Sequence, residues 1–257
     1  MIPEERRNKI LIKLRENGFL KINGLAESLS VSKITIIRDI QILKKTGLVK
    51  KIHGGIKLND AENGAFESRF LIRIQNNYSK KVEIAKNAMS FLNDKNTIFL
   101  DSSSTVYVFA GEIFKNQLSE KNLITNSPAI IVEALKQPHS HIISTGGELK
   151  QEFNIFGGQW VNEFLDKVNI DCAFISAAGI SPDLEITTNN KDVAVVLRKI
   201  FDKAGEVNLL IDSTKFFKKG MLNIASVDEC RRVITDSEIL NISETKLLKK
   251  INAEIIY

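Results

Sequence analysis

The stretch "SVSKITIIRDIQILKKTGLVKKIHGG", Ser30–Gly55, is basic, yet isoleucine stands on more than one face of the helix that its spacing predicts. Ser32 suits the N-cap of that helix, which runs to about Lys45. Ile36, Ile40 and Leu43, at steps of four and three, form its buried stripe. Asp39 is expected to pair with a neighbouring cation on the helix flank. Lys44 and Lys45 suit the negative dipole end. "GLVKKIHGGIKL" then reads as strand, turn, strand, with Gly54-Gly55 supplying the positive φ angles of a two-residue hairpin.

Upstream, Pro3, Glu4 and Glu5 suit a first helical turn, Ile10, Leu11 and Leu14 form an apolar stripe, and Asn17-Gly18 supplies a stop. A second, short helix is expected after Asn23 as N-cap, with Leu25, Ala26 and Leu29 inward and Val31 in the turn that follows. Two short helices joined by a tight turn, the second basic, make a helix-turn-helix; the hairpin after it makes the unit a winged one.

Charge follows this division. Met1–Lys57 carries 13 Lys and Arg against 5 Asp and Glu, a net +8, whereas Leu58–Tyr257 nets −3. A basic head on a slightly acidic body points to a polyanionic partner, and with this motif the partner is double-stranded DNA. The candidate contacts on the third helix are Ser32, Lys33, Thr35, Ile37, Arg38 and Gln41. Arg and Gln read guanine and adenine edges bidentately, and Lys33 and Thr35 sit near the helix start. On the hairpin, Lys50, Lys51 and Lys57 would lie near phosphates. His53 would touch the DNA backbone or make a structural hydrogen bond at the turn. Ile34 and Ile37 fall off the buried stripe: either they rest on a minor core under the wing, or Ile37 meets a thymine methyl.

The body alternates short apolar runs with helical segments. Lys80–Leu92 reads as a helix, and strands are expected at 97–101, 123–126, 141–145, 172–177, 207–212 and 232–235, with a further one at 253–257. Runs such as "AFISA" and "VNLLID" suit a parallel sheet covered on both faces, so the fold class is α/β. Ligands in such sheets bind beyond the carboxyl ends of strands. Polar residues cluster there: Asp101, Ser103, Ser104 and Thr105; Asn126 and Ser127; Gly146 and Gly147; and Lys215. Hydroxyls and free amides at a helix start suit a phosphate, Lys215 adds a positive charge, and Asp101 suits sugar hydroxyls.

The head resembles the DeoR family of bacterial transcriptional regulators, whose signature "LAxxLxVSxxTIRRDLxxLxxxGLLxRxHGG" reads here "LAESLSVSKITIIRDIQILKKTGLVKKIHGG". Val31-Ser32, Thr35-Ile36, Arg38-Asp39, Gly47-Leu48 and His53-Gly54-Gly55 stand in place, while Ile37 replaces the family's usual arginine. "LDSSSTVYVFAGEI", "TNSPAI", "STGGELKQEFNIFGG", "DCAFISAAGI", Thr187-Thr188 and "IDSTKF" follow in family order. The resemblance implies a mostly parallel α/β sensor domain similar to sugar-phosphate isomerases, with Gly179 at the pocket edge and a phosphorylated sugar as effector. The organisation expected is a 1–57 head, a 58–75 linker whose polar, mixed residues leave room for one short amphipathic stretch, and a 76–257 effector-binding domain. Isomerases of that fold carry an acidic loop where this chain has Ala177-Ala178-Gly179-Ile180-Ser181, and the family's lysine and glutamate after the Thr-Thr pair are replaced by Leu197 and Val193. A site without a general base suits a sensor rather than the alternative, an isomerase-like enzyme with an accessory DNA-binding head.

No catalytic residue, metal site or cofactor is expected. Cys172 and Cys230 lack metal spacing and read as buried structural thiols. With no apolar run long enough to span a bilayer and no secretory signal, the expected compartment is a bacterial cytoplasm, without a membrane partner. A homo-oligomer, dimer or tetramer, is expected because one head contacts too few base pairs for specificity.

Overall fold

A computed structural model describes residues 3–45, 47–58, 65–116, 120–136, 141–242 and 248–257. The chain divides into two compact units, Met1–Tyr78 and Ser79–Tyr257. Among the described residues, no helix is long and apolar enough to cross a membrane.

The first unit begins with α1 (Pro3–Asn17), which ends where Gly18 turns left-handed (φ 69°) and donates its N–H to the Leu14 carbonyl at 2.8 Å. β1 (Phe19–Lys21) follows, then α2 (Ile22–Ser28), α3 (Lys33–Lys45), β2 (Val49–Ile52), β3 (Gly55–Leu58) and α4 (Ala65–Gln75). α2 starts earlier than expected: β1 feeds directly into it and Lys21 precedes it with no side-chain cap, so Asn23 lies inside the helix. Between α2 and α3, Ser30 adopts φ 52° and Val31 donates to the Ala26 carbonyl at 3.1 Å, closing the tight turn. Ile10, Leu11, Leu14, Leu25, Ile36, Leu43, Leu48 and Ile56 are each no more than 1% exposed and form one core.

The wing is a three-stranded antiparallel sheet in the order β1-β3-β2. Ile52 pairs with Gly55, so the two turn residues are His53 and Gly54, not Gly54 and Gly55. Gly54 takes the left-handed φ of 80°. Gly55 is needed for a different reason: β1 crosses so closely that a Cβ there would collide with the Leu20 carbonyl and the Phe19 ring. The stretch 58–75, read as linker, contains α4, whose Ile72 is 4% exposed and belongs to the head's core; residues 59–64 lie outside the described residues.

The second unit begins with α5 (Tyr78–Ala88) and continues β4 (Thr97–Leu100), α6 (Ser104–Lys115), β5 (Asn122–Thr125), α7 (Pro128–Ala134), β6 (Ile142–Ser144), β7 (Glu148–Lys150), β8 (Ile155–Gly157), α8 (Gln159–Asp166) and β9 (Ile170–Ile175). Then come β10 (Gly179–Ile180), β11 (Glu185–Thr188), α9 (Lys191–Lys203), β12 (Ala204–Leu210), β13 (Leu222–Ser226), β14 (Arg232–Ile234) and β15 (Glu254–Ile256). All seven strands expected from the apolar runs join one parallel sheet, ordered β15-β14-β12-β9-β4-β5-β6. Phe99, Phe174, Ile175, Leu209 and Val233 are fully buried, as a sheet covered on both faces requires. β10, β11 and β13 form a separate small antiparallel sheet, and β7 pairs with β8. Both cysteines are free and buried; burial pushes the Cys172 thiol up to about 12.

The chain winds outward from β4 through β5 to β6, then returns to the other side of β4 with β9 and winds outward again through β12, β14 and β15. The strand order therefore reverses between β4 and β9, the switch point at whose carboxyl ends sheets of this kind place a ligand crevice.

Candidate functional site

In the head, α3 is amphipathic as its spacing demands: Ile36, Asp39, Ile40 and Leu43 are buried, while Ser32, Lys33, Ile37, Arg38 and Gln41 are exposed and Thr35 is half-buried. The Ser32 hydroxyl accepts the Thr35 N–H at 3.1 Å and lies 2.8 Å from the Thr35 hydroxyl, so it is the N-cap. Lys33, Arg38, Lys44 and Lys45 form no ion pair among the described residues, which leaves their charge available to a polyanion. On the wing, Lys51 and His53 are exposed and Lys50 is half-buried. His53 makes no side-chain hydrogen bond among the described residues, so the structural bond at the turn is not formed there.

One expectation is corrected and one of two alternatives is disfavoured. Asp39 is not on the flank: it is 2% exposed and receives Arg6 through Nε (2.5 Å) and Nη2 (3.2 Å), with Arg7 Nη1 at 3.6 Å. A carboxylate that would repel DNA is thus turned inward and neutralised by α1. Nor do Ile34 and Ile37 rest on a minor core; they are 64% and 37% exposed.

In the second unit, the strand-end residues meet at the switch point. Asp101, after β4, accepts Ser103 N–H at 2.8 Å and, across the crevice, Ser176 N–H from the end of β9 at 2.9 Å. Ser103 caps α6 by accepting the Val106 N–H. Ser104 and Thr105 begin α6, both buried, and the Thr105 hydroxyl has no hydrogen-bond partner. The buried Ser176 hydroxyl and the Asn126 side-chain oxygen Oδ1 also lack partners. Three orphaned buried polar atoms at neighbouring strand ends are costly unless something polar meets them. Lys215, after β12, donates to the Ala177 carbonyl at 3.1 Å and lies 3.8 Å from the Asp212 carboxylate, bridging the loops after β9 and β12.

Other expected residues serve the frame. Ser127 caps α7, and its hydroxyl also accepts from Asn154 at 3.3 Å. Gly146 and Gly147 both have positive φ, and a Cβ on Gly147 would lie 2.6 Å from Val161 and 2.7 Å from the Gly157 carbonyl. Gly179 is a packing glycine, since a Cβ would strike the Lys218 carbonyl. A cleft of about 200 Å³ lined by Phe91, Lys95, Glu206 and Arg232 lies at the opposite, amino-terminal edge of the sheet. Lys95 and Arg232 there are paired with Glu206 at 3.2 Å and 3.4 Å, and none of its lining residues has a buried polar atom without a partner.

The sequence reading missed Ser176 and a network beside the crevice. Lys80, in the first turn of α5, donates to Ser213 Oγ at 2.8 Å and Asp236 Oδ1 at 3.0 Å, and pairs with Glu238 at 2.6 Å. Asp236, fully buried, also accepts the Ser213 N–H at 2.7 Å. Burial alone would lower the Lys80 ammonium, but its bonds to Glu238 and Asp236 outweigh that and hold it above its ordinary value. The polar residues just after "VIT" and "LLI" were the available signal.

Burial pushes the Asp101 carboxyl up to about 6, against the pull of its Ser103 and Ser176 donors and the Lys215 charge. The folded state therefore holds this proton more tightly than the unfolded chain. The stability contributed by the protonated form is present below about pH 4 and is lost as pH rises through about 6, by roughly 3 kcal/mol. Melting curves of wild type and Asp101→Asn should show wild type falling more steeply with pH across that window. A constant difference between the two would mean that Asp101 is solvated.

The DeoR C-terminal sensor domain model matches residues 76–237, and the DeoR-like helix-turn-helix model matches residues 6–62. The chain belongs to the DeoR family. It is 29% identical to the HTH-type transcriptional regulator GolR of Listeria innocua, over 93% of this chain and 92% of that one. It is 30% identical to the L-fucose operon activator of Escherichia coli (90% and 94% covered) and to the lactose phosphotransferase system repressor of Staphylococcus epidermidis (93% and 94%). Among solved structures, ribose 5-phosphate isomerase A of Methanocaldococcus jannaschii aligns over 55% of each chain at 19% identity and a TM-score of 0.41, too distant to bear on function. As a DeoR-family protein the chain is a transcriptional regulator with a DNA-binding head and a C-terminal sensor domain, not an isomerase.

Proposed function

We propose that this DeoR-family regulator represses a sugar-utilisation operon as a homo-oligomer and leaves its operator when a phosphorylated sugar occupies the crevice between β4 and β9. The observation that carries the effector reading is the convergence there of the α6 N-terminus, the partnerless Thr105 and Ser176 hydroxyls and the Lys215 ammonium. Backbone amides at a helix start and one cation suit a phosphate, and a buried carboxyl suits sugar hydroxyls. For the head, the unpaired cations of α3 support phosphate contact, and Arg38 and Gln41 support base reading. Two heads related by a two-fold axis would supply the half-sites that one cannot.

Effector binding must favour one arrangement of the heads over another, since a ligand shifts an equilibrium only by its differential affinity. The Lys80–Ser213–Asp236 network supports a route: it ties the loop carrying Lys215 to the first turn of α5, two residues past the boundary of the head. Lys215→Ala should raise the sugar-phosphate concentration needed for operator release by about tenfold or more, with operator affinity unchanged. Lys80→Ala should still bind both ligands, measured separately, with a smaller effect of one on the other. Wild-type release by Lys215→Ala would move the effector site elsewhere.

A further inference from the structure

The outward row of α3 is Ile34, Arg38, Gln41 and Lys45, at steps of four, three and four, opposite the buried Ile36, Ile40 and Leu43. Ile37 lies beside this row, three residues from Ile34 and four from Gln41, so the three side chains are neighbours on the surface. Ile34 is the most exposed large apolar side chain of the helix at 64% and occupies its second position. Ile42, 45% exposed, lies off the row towards the far end. Single exposed isoleucines need no explanation, but two adjoining ones ringed by Lys33, Arg38 and Gln41 form an apolar spot inside a cationic surface. That combination matches the major groove, where phosphates flank base edges and thymine presents a methyl group as its apolar feature. A recognition helix reads bases with its N-terminal residues, which is where this pair sits.

We infer that Ile34 and Ile37 are specificity-determining residues that read thymine methyl groups. This rests on the head binding operator DNA through α3, and the test separates the two. The operator is selected from random duplexes with the wild-type full-length chain. Each thymine of the half-site is then replaced in turn by deoxyuridine, which removes only the methyl. At one or two positions wild-type affinity should fall about fourfold, the worth of one buried methyl. Ile34→Ala or Ile37→Ala should be indifferent to the same replacement. Both variants place the best helix former on a surface position, so the head stays folded.

Selection of an operator whose contacted half-site lacks thymine, or whose deoxyuridine replacements cost nothing, would overturn the inference and leave DNA binding intact. An equal methyl penalty in wild type and both variants would assign the contact to another residue. A changed oligomeric state in the variants with unchanged methyl sensitivity would mean that a second copy covers the pair. Failure to select any sequence would refute the reading head itself, and this inference with it.

Discussion

Asp39→Ala should strongly destabilise the head and weaken operator binding, with the sensor unit intact. Asp39 is a buried anion that holds α1 to α3: removing it takes the carboxylate away from the Arg6 guanidinium, 10% exposed, and from Arg7 beside it. Breaking a buried pair from one side costs about 3–5 kcal/mol. The head is a small unit whose entire stability is of the order of 5–10 kcal/mol. Amide exchange in α1 and α3 should therefore accelerate by roughly 10²–10³-fold, while β4 and β9 keep their protection. The double substitution Arg6→Met/Asp39→Leu should recover most of the loss, because a packed apolar pair needs no desolvation of charge. Unchanged exchange in Asp39→Ala would show that the pair does not hold the helices together.

The second large effect is that of salt on operator affinity. Lys33, Arg38, Lys44, Lys45, Lys50 and Lys51 lie on α3 and the wing. If two heads together neutralise about 6–10 phosphates, affinity should fall about 10³–10⁵-fold between 50 and 200 mM salt through counterion release. Lys51→Ala should lower the slope of log affinity against log salt by about one per head and weaken all sequences alike. Arg38→Ala should instead flatten the preference among sequences. A slope near zero would mean that the basic head does not meet a phosphate backbone.

The centre of the sheet was legible because its strands carry short apolar runs that end before a polar residue: "IFL" before Asp101, "CAFI" before Ser176, "LLI" before Asp212. The small strands β1, β10 and β13 were not. "FLK", "GI" and "LNIAS" are too short or too mixed to carry a period, and their pairing partners are fixed by tertiary packing. The hairpin was legible but its turn slipped by one residue, because the close approach of β1 that demands Gly55 has no local signal. Asp39 misled for a similar reason: a buried charge is recognisable only with its partner, and Arg6 stands 33 residues away. Of the crevice, Asp101, Thr105 and Lys215 were visible as polar strand ends. Ser176 lay hidden in an apolar run, and the packing that requires glycine at Gly179 has no local signal.

The central claim joins the two units: DNA affinity set by the head is governed by a phosphorylated ligand in the sensor crevice. Anisotropy of the labelled, selected operator at one fixed salt concentration, titrated with a panel of phosphorylated sugars and their unphosphorylated counterparts, tests it directly. At least one phosphorylated sugar should weaken operator binding by about 5–150-fold, the range of ordinary allosteric coupling, while its unphosphorylated counterpart does not. Equal effects of the phosphorylated and free sugars, or operator affinity indifferent to the whole panel, would contradict it.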